Sequence, residues 1–63
     1  MECIKIKNWI NGKGFCFLQK TELFTYFLFN GVEYKVFDDV LNYYMSWDKP
    51  FELFLDECEK IHV

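Results

Sequence analysis

The stretch WINGKGFCFL, residues 9–18, decides how the chain begins to fold. It sets a tryptophan, an Asn-Gly-Lys-Gly segment and two alternating phenylalanines side by side. Upstream, residues 3–10 alternate: Ile4, Ile6 and Ile10 against Lys5, Lys7 and Trp9. That is the period of a strand. Residues 11–14 then read as a turn and residues 15–20 as a second strand, giving a first hairpin. Its register has two solutions. A loop of two or four residues puts Phe15 and Phe17 with Ile4, Ile6 and Ile10 in the core, and Trp9 on the opposite face. A loop of three residues, Asn11 to Lys13, puts Trp9 opposite Phe15 and Lys7 opposite Phe17 on one outer face. The core is then Ile4, Ile6, Ile10, Cys16 and Leu18. A slip of one residue turns every side chain over, and Asn-Gly favours the two-residue loop.

Downstream, residues 24–37 read FTYFLF-NG-VEYKVF. Asn-Gly between two β-rich runs is the preferred two-residue hairpin loop, because both central residues need positive φ. Such a loop pairs Phe29 with Val32, Phe27 with Tyr34 and Thr25 with Val36 on one face, expected to be the core side. The other face carries Phe24, Tyr26 and Leu28 beside Glu33, Lys35 and Phe37. Half apolar and half charged, it suits a partner-binding surface.

Strand character stops at Asp38-Asp39, either of which can cap a helix. Phe37, Val40, Leu41 and Tyr44 follow at helical spacing. Pro50 breaks any continuous helix, and Asp48 can cap a second one. Phe51, Phe54, Leu55 and Cys58 repeat the stripe, with Glu52, Asp56 and Glu59 on the opposite side. The expectation is a single small α+β domain spanning residues 1–63. Two antiparallel β-hairpins form a four-stranded sheet, followed by one or two short helices near 38–46 and 50–61.

Composition limits what the domain can do. A chain of 63 residues buries only about 60% of its unfolded surface. Aromatics make up 22% of the residues, more than so small a core hides, so some should form an exposed patch for a partner or a homodimer seam. The net charge is −3, and all 7 basic residues are lysines. The absence of arginine weakens any reading that needs bidentate recognition of phosphate or guanine. The absence of alanine and the richness in Phe, Tyr, Asn, Ile and Lys fit an AT-rich coding sequence of a low-GC bacterium or its phage. No signal peptide or membrane-spanning run is read. The odd number of cysteines, Cys3, Cys16 and Cys58, fits free thiols in a bacterial cytoplasm. Cys58 and His62 lie four apart on the expected last helix, but two ligands fall short of a zinc site. No metal or cofactor is expected. The carboxylates read as a helix cap and a solvated helix face, and no catalytic constellation is present, so no enzyme activity is expected.

Lys7, Trp9, Asn11, Lys13, Gly14, Phe15, Phe17 and Leu18 resemble the first part of a cold-shock domain. Cys16 stands where that family has a second glycine, and Phe24-Thr25-Tyr26-Phe27 stands near its next aromatic segment. The resemblance covers residues 4–27. The turn is one residue shorter than the family's, Tyr26 replaces a usual histidine, and the second half reads helical where the family continues as a barrel. The resemblance implies single-stranded nucleic-acid binding through Lys7, Trp9, Lys13, Phe15 and Phe17, by base stacking.

The leading expectation is different: a non-catalytic, phage- or mobile-element-encoded protein that inhibits a host or bacterial defence protein by binding it. Small phage inhibitors, including anti-CRISPR proteins, are similar in type, being short, acidic and aromatic-rich, with no shared motif. The acidic residues Asp48, Glu52, Asp56, Glu57 and Glu59 would stand in for nucleic-acid phosphates on a basic protein partner. The expected contacts are Trp9, Tyr26, Tyr43, Trp47, Glu52, Asp56 and Glu59, with homodimerisation as an added property. A third reading is an oligomeric sponge that sandwiches a nucleotide messenger between aromatics.

Overall fold

The computed structural model describes residues 3–46 and 51–61, apart from the side chains of Cys3 and Phe51. Its elements run α1 (Cys3–Gly12), β1 (Cys16–Lys20), β2 (Phe24–Phe29), β3 (Val32–Phe37), α2 (Asp38–Ser46), α3 (Phe51–Glu57) and β4 (Glu59–Lys60). The strands form one antiparallel sheet in the order β1-β2-β3-β4. The expected class, α+β with a four-stranded antiparallel sheet and short helices, is therefore present.

Two of the expected elements change. Residues 3–12 are helix α1, so no first hairpin exists. The reason lies in the NGKG segment, which is a helix end. The Phe15 N–H donates to the Ile10 carbonyl at 3.2 Å, and the Gly14 N–H donates to the Asn11 carbonyl at 3.1 Å. This pair of bonds is the Schellman motif, which satisfies carbonyls left over at a helix C-terminus. It needs a left-handed residue after the cap, and Gly14 supplies it with φ 90°. Phe15 and Ile10, the two residues flanking the motif, are both buried. Asn11 then fastens the helix end to β1, its Oδ1 accepting the Phe17 N–H at 3.1 Å.

On the helix, Ile6 and Ile10 are one turn apart and both enter the core, whereas Ile4 is 75% exposed. Cys16 and Leu18, core in one expected register, are exposed as well. The second change is at the other end. The last helix stops at Glu57, and Glu59–Lys60 become β4, paired with Tyr34 and Lys35.

The β2–β3 hairpin has the expected register, with Phe29↔Val32, Phe27↔Tyr34 and Thr25↔Val36. Asn30 and Gly31 take φ of 54° and 77°, as a type I′ loop requires. Thr25, Phe27, Tyr34 and Val36 are buried, with Phe29 and Val32 packed at their edge. Ile6, Ile10, Phe15, Leu41, Tyr44 and Phe54 complete this core, so all three helices contribute to one sheet face.

The sheet's second face holds Cys16, Gln19, Phe24, Tyr26, Leu28, Glu33, Lys35, Phe37 and Glu59, by register. None of them is buried. Phe37, expected to begin the α2 stripe, ends β3 on this face, 54% exposed. The start of α2 is tied to the strands twice. The Asp38 N–H donates to the Leu23 carbonyl at 3.0 Å, and the Asp38 carboxylate accepts Lys20 Nζ at 2.8 Å. Asp38 thus sits in the first turn, where negative charge is favoured, but its oxygen bonds a strand lysine. The expected cap at Asp48 lies outside the described residues.

The helix end can be tested with two glycines. Gly14→Ala forces a side chain into left-handed backbone and should destabilise the domain by about 1–2 kcal/mol in urea unfolding. Gly12→Ala lies inside α1 and should be neutral or stabilising, by up to about 1 kcal/mol. The reverse order of costs would restore a hairpin turn at NGKG.

Candidate functional site

The expected contact residues separate onto three parts of the surface. Trp9 is half-buried on α1, its ring edge-on to Phe54 with centroids 5.3 Å apart. Tyr26 and Glu59 lie on the open sheet face, Glu59 3.6 Å from Lys35. Tyr43, Glu52 and Asp56 are exposed on α2 and α3. Trp47 lies outside the described residues. For the nucleic-acid set, Lys13 Nζ stands 5.3 Å over the Trp9 ring, while Lys7 is exposed on α1. Phe15 is buried at 4% exposure, and Phe17 packs against the core. The five residues therefore do not share one face.

Among the described residues, an open groove of about 220 Å³ is lined by Asp39, Val40, Tyr43, Tyr44 and Glu57. Its geometry follows from helical spacing. Asp39 and Tyr43 are one turn apart on α2, as are Val40 and Tyr44. Leu41 and Tyr44 anchor α2 in the core, which turns Tyr43 outward at 47% exposure. Glu57 closes the groove from the end of α3. The two tyrosine rings meet edge to face, with centroids 5.4 Å apart and planes at 82°.

The groove is acidic. α2 and α3 carry Asp38, Asp39, Glu52, Asp56 and Glu57 and no basic residue. Burial raises the pKa of the Tyr44 hydroxyl, and the charges of Glu57 and Asp56 add to the effect. Glu52 and Asp56 were legible as an acidic stripe. Asp39 read as a cap, and the four-residue step on α2 is the signal that joins it to Tyr43; Glu57, on α3, read both as solvated surface and as one of the phosphate mimics.

Cys58 beside the groove donates its thiol hydrogen to the Phe54 carbonyl at 3.1 Å. Burial, with the Glu57 charge, pushes its pKa up to about 12, and only the thiolate is a nucleophile or metal ligand. His62, expected one helical turn from it, lies outside the described residues. Among the described residues, no three His, Cys, Asp or Glu side chains are grouped to hold a metal ion. No described helix is long and apolar enough to cross a membrane.

No family model, curated protein or solved structure matches the chain. What its surface can do must therefore be read from the residues themselves.

The Cys58 environment fixes a pH dependence. The folded thiol keeps its proton to about 12, whereas a thiol at the ordinary value of 9.0 ionises earlier. The unfolded chain thus releases a proton first, and stability falls as pH rises from the ordinary value toward the folded one. Unfolding by urea across that range should show the loss, and Cys58→Ala should reduce it, leaving the part due to the raised Tyr44 hydroxyl. Iodoacetamide mapped by mass spectrometry at neutral pH should label exposed Cys16 and spare Cys58. Labelling of Cys58 at the rate of Cys16 would contradict the half-buried, protonated thiol.

Proposed function

We propose that this chain is a non-catalytic interaction protein that grips a basic protein partner with its α2–α3 side. The observation that carries the reading is the groove in which Tyr43 and Tyr44 stand beside Asp39 and Glu57. A lysine or arginine side chain entering it meets carboxylates and aromatic rings together. Cation–π contact contributes about 0.5–1 kcal/mol at exposed sites and about 2 when desolvated, and complementary charge speeds encounter. Glu52 and Asp56 on α3 extend the same negative field.

The partner class this favours is a nucleic-acid-binding protein, whose basic surface would accept carboxylates in place of phosphates. The narrower form of the proposal is inhibition of a host or bacterial defence protein by a phage- or mobile-element-encoded chain. Small size, acidity and aromatic surplus support it. A second reading, single-strand nucleic-acid binding, draws on one observation, the Lys13 ammonium over the Trp9 ring.

Calorimetric titration with a polyarginine peptide and with a poly-pyrimidine oligonucleotide separates the two. The proposal expects salt-sensitive peptide binding, weakened about tenfold, or ~1.4 kcal/mol, by Tyr43→Ala and by Glu57→Gln. Glu22→Gln, exposed in the β1–β2 connection, should leave it unchanged. Peptide binding that ignores Tyr43 and Glu57, or tight binding of the oligonucleotide alone, would contradict the proposal.

A further inference from the structure

We infer that a second copy of this chain docks on the open face of the sheet, sheet against sheet. The inference is independent of the α2–α3 groove, since that groove belongs to the helical side.

The open face has an apolar centre and a charged border. Phe24, Tyr26 and Leu28 project from β2, and Phe37 from the end of β3. The Phe24 and Phe37 rings lie 4.4 Å apart and tilted, with Tyr26 6.3 Å beyond Phe24. Leu18, at the bulge of β1, and Leu23, just before β2, are exposed as well, at 40% and 59%. An antiparallel sheet tolerates one solvated face, but such a face is normally polar. Contiguous apolar patches on a small protein mark a docking surface.

The charges on this face select the occupant. On β3, Glu33 and Lys35 follow one another on the open side, and Glu59 of β4 pairs with Lys35 across the strands. Lys35 Nζ also stands 4.6 Å over the Phe24 ring, so the cation sits at the edge of the aromatic centre. A nucleic acid would need a positive track, and this face offers one lysine between two glutamates. A strongly basic protein would meet that like charge beside the aromatic centre. A copy of the face itself carries the matching pattern. In a two-fold contact each residue pair occurs twice with the roles exchanged. Lys35 of one chain then meets a glutamate of the other, and that chain's Lys35 meets the first chain's glutamate. Stacked sheets lie about 10 Å apart with their side chains interdigitated, which suits Phe24, Phe37, Tyr26 and Leu28 as a shared inner layer.

Sedimentation velocity of the full chain, from micromolar to submillimolar concentration, tests this. The expected result is a monomer–dimer equilibrium with twice the chain's mass at the upper end. Lys35→Glu should weaken the dimer about tenfold or more, and Glu33→Lys and Glu59→Lys combined with Lys35→Glu should restore it, because inverting all three charges preserves both the Lys35–Glu59 cross-strand pairing and the reciprocal pattern. Phe37→Ser changes an exposed ring at a strand end. It should abolish the dimer while leaving the circular dichroism spectrum intact, which separates loss of docking from loss of fold. A wild-type chain that stays monomeric throughout overturns the inference, as does a dimer untouched by both Phe37→Ser and Lys35→Glu. Either failure leaves the peptide titration of the α2–α3 groove unaffected.

Discussion

The ring of Phe54 is where the three helices and the sheet meet. It is fully buried and lies within 6 Å, centroid to centroid, of Trp9, Phe15, Phe27 and Tyr44. Those four rings come from α1, its cap, β2 and α2. α3 has only 7 residues, far below the length at which a helix persists alone in water, so burial of this ring is what holds it. Truncating a buried phenylalanine to alanine costs about 3–5 kcal/mol. A domain of this size has about that much stability in all, so the fold depends on this one side chain. The same arrangement explains the bare second face. With every helix drawn to the Phe54 side, none is left to cover Phe24, Tyr26 and Leu28.

What the sequence revealed was local. Asn30-Gly31 sets its hairpin through two positive-φ residues, and the pairing follows without reference to the rest of the chain. α2 was legible from Val40, Leu41 and Tyr44 for the same reason. α1 was not, because Ile6 and Ile10 are four apart, a separation that satisfies a strand and a helix alike. Ile4 tipped the pattern toward a strand, and the structure leaves it in solvent. Gly14 carried the deciding signal, as a glycine just past a helix end, but a glycine after Asn-Gly-Lys also reads as a turn. β4 was hidden differently. Its partner is β3, far away in sequence, joined by the Ile61 N–H donating to the Glu33 carbonyl at 2.9 Å. The Phe54, Leu55 and Cys58 spacing simply continues a helix past Glu57.

The candidate surfaces follow the same division. Composition implied more aromatic surface than the core could hold, and the open face with Phe37 is where much of it went. Alternation on the β2–β3 hairpin already marked that face as half apolar and half charged. The groove was only partly visible, since it needs α3 to return beside α2 and bring Glu57 to Asp39 and Tyr43. Nothing in a linear pattern reports that return, which is enforced by Phe54 packing edge-on to Tyr44 at 5.3 Å. The two surfaces have different chemistry. One is acidic with tyrosine rings, and the other is apolar with charges of both signs, so each favours a different kind of contact.

A nuclear Overhauser spectrum of the protein, with aromatic side chains assigned, tests the central claim most directly. The account predicts cross-peaks from the Phe54 ring to the rings of Trp9, Phe15, Phe27 and Tyr44, with sequential amide–amide contacts running through residues 3–12. Cross-strand contacts between residues 4–10 and 15–18, with Trp9 remote from Phe54, would contradict it. They would return the start of the chain to a hairpin and dissolve the arrangement that leaves the second face of the sheet open.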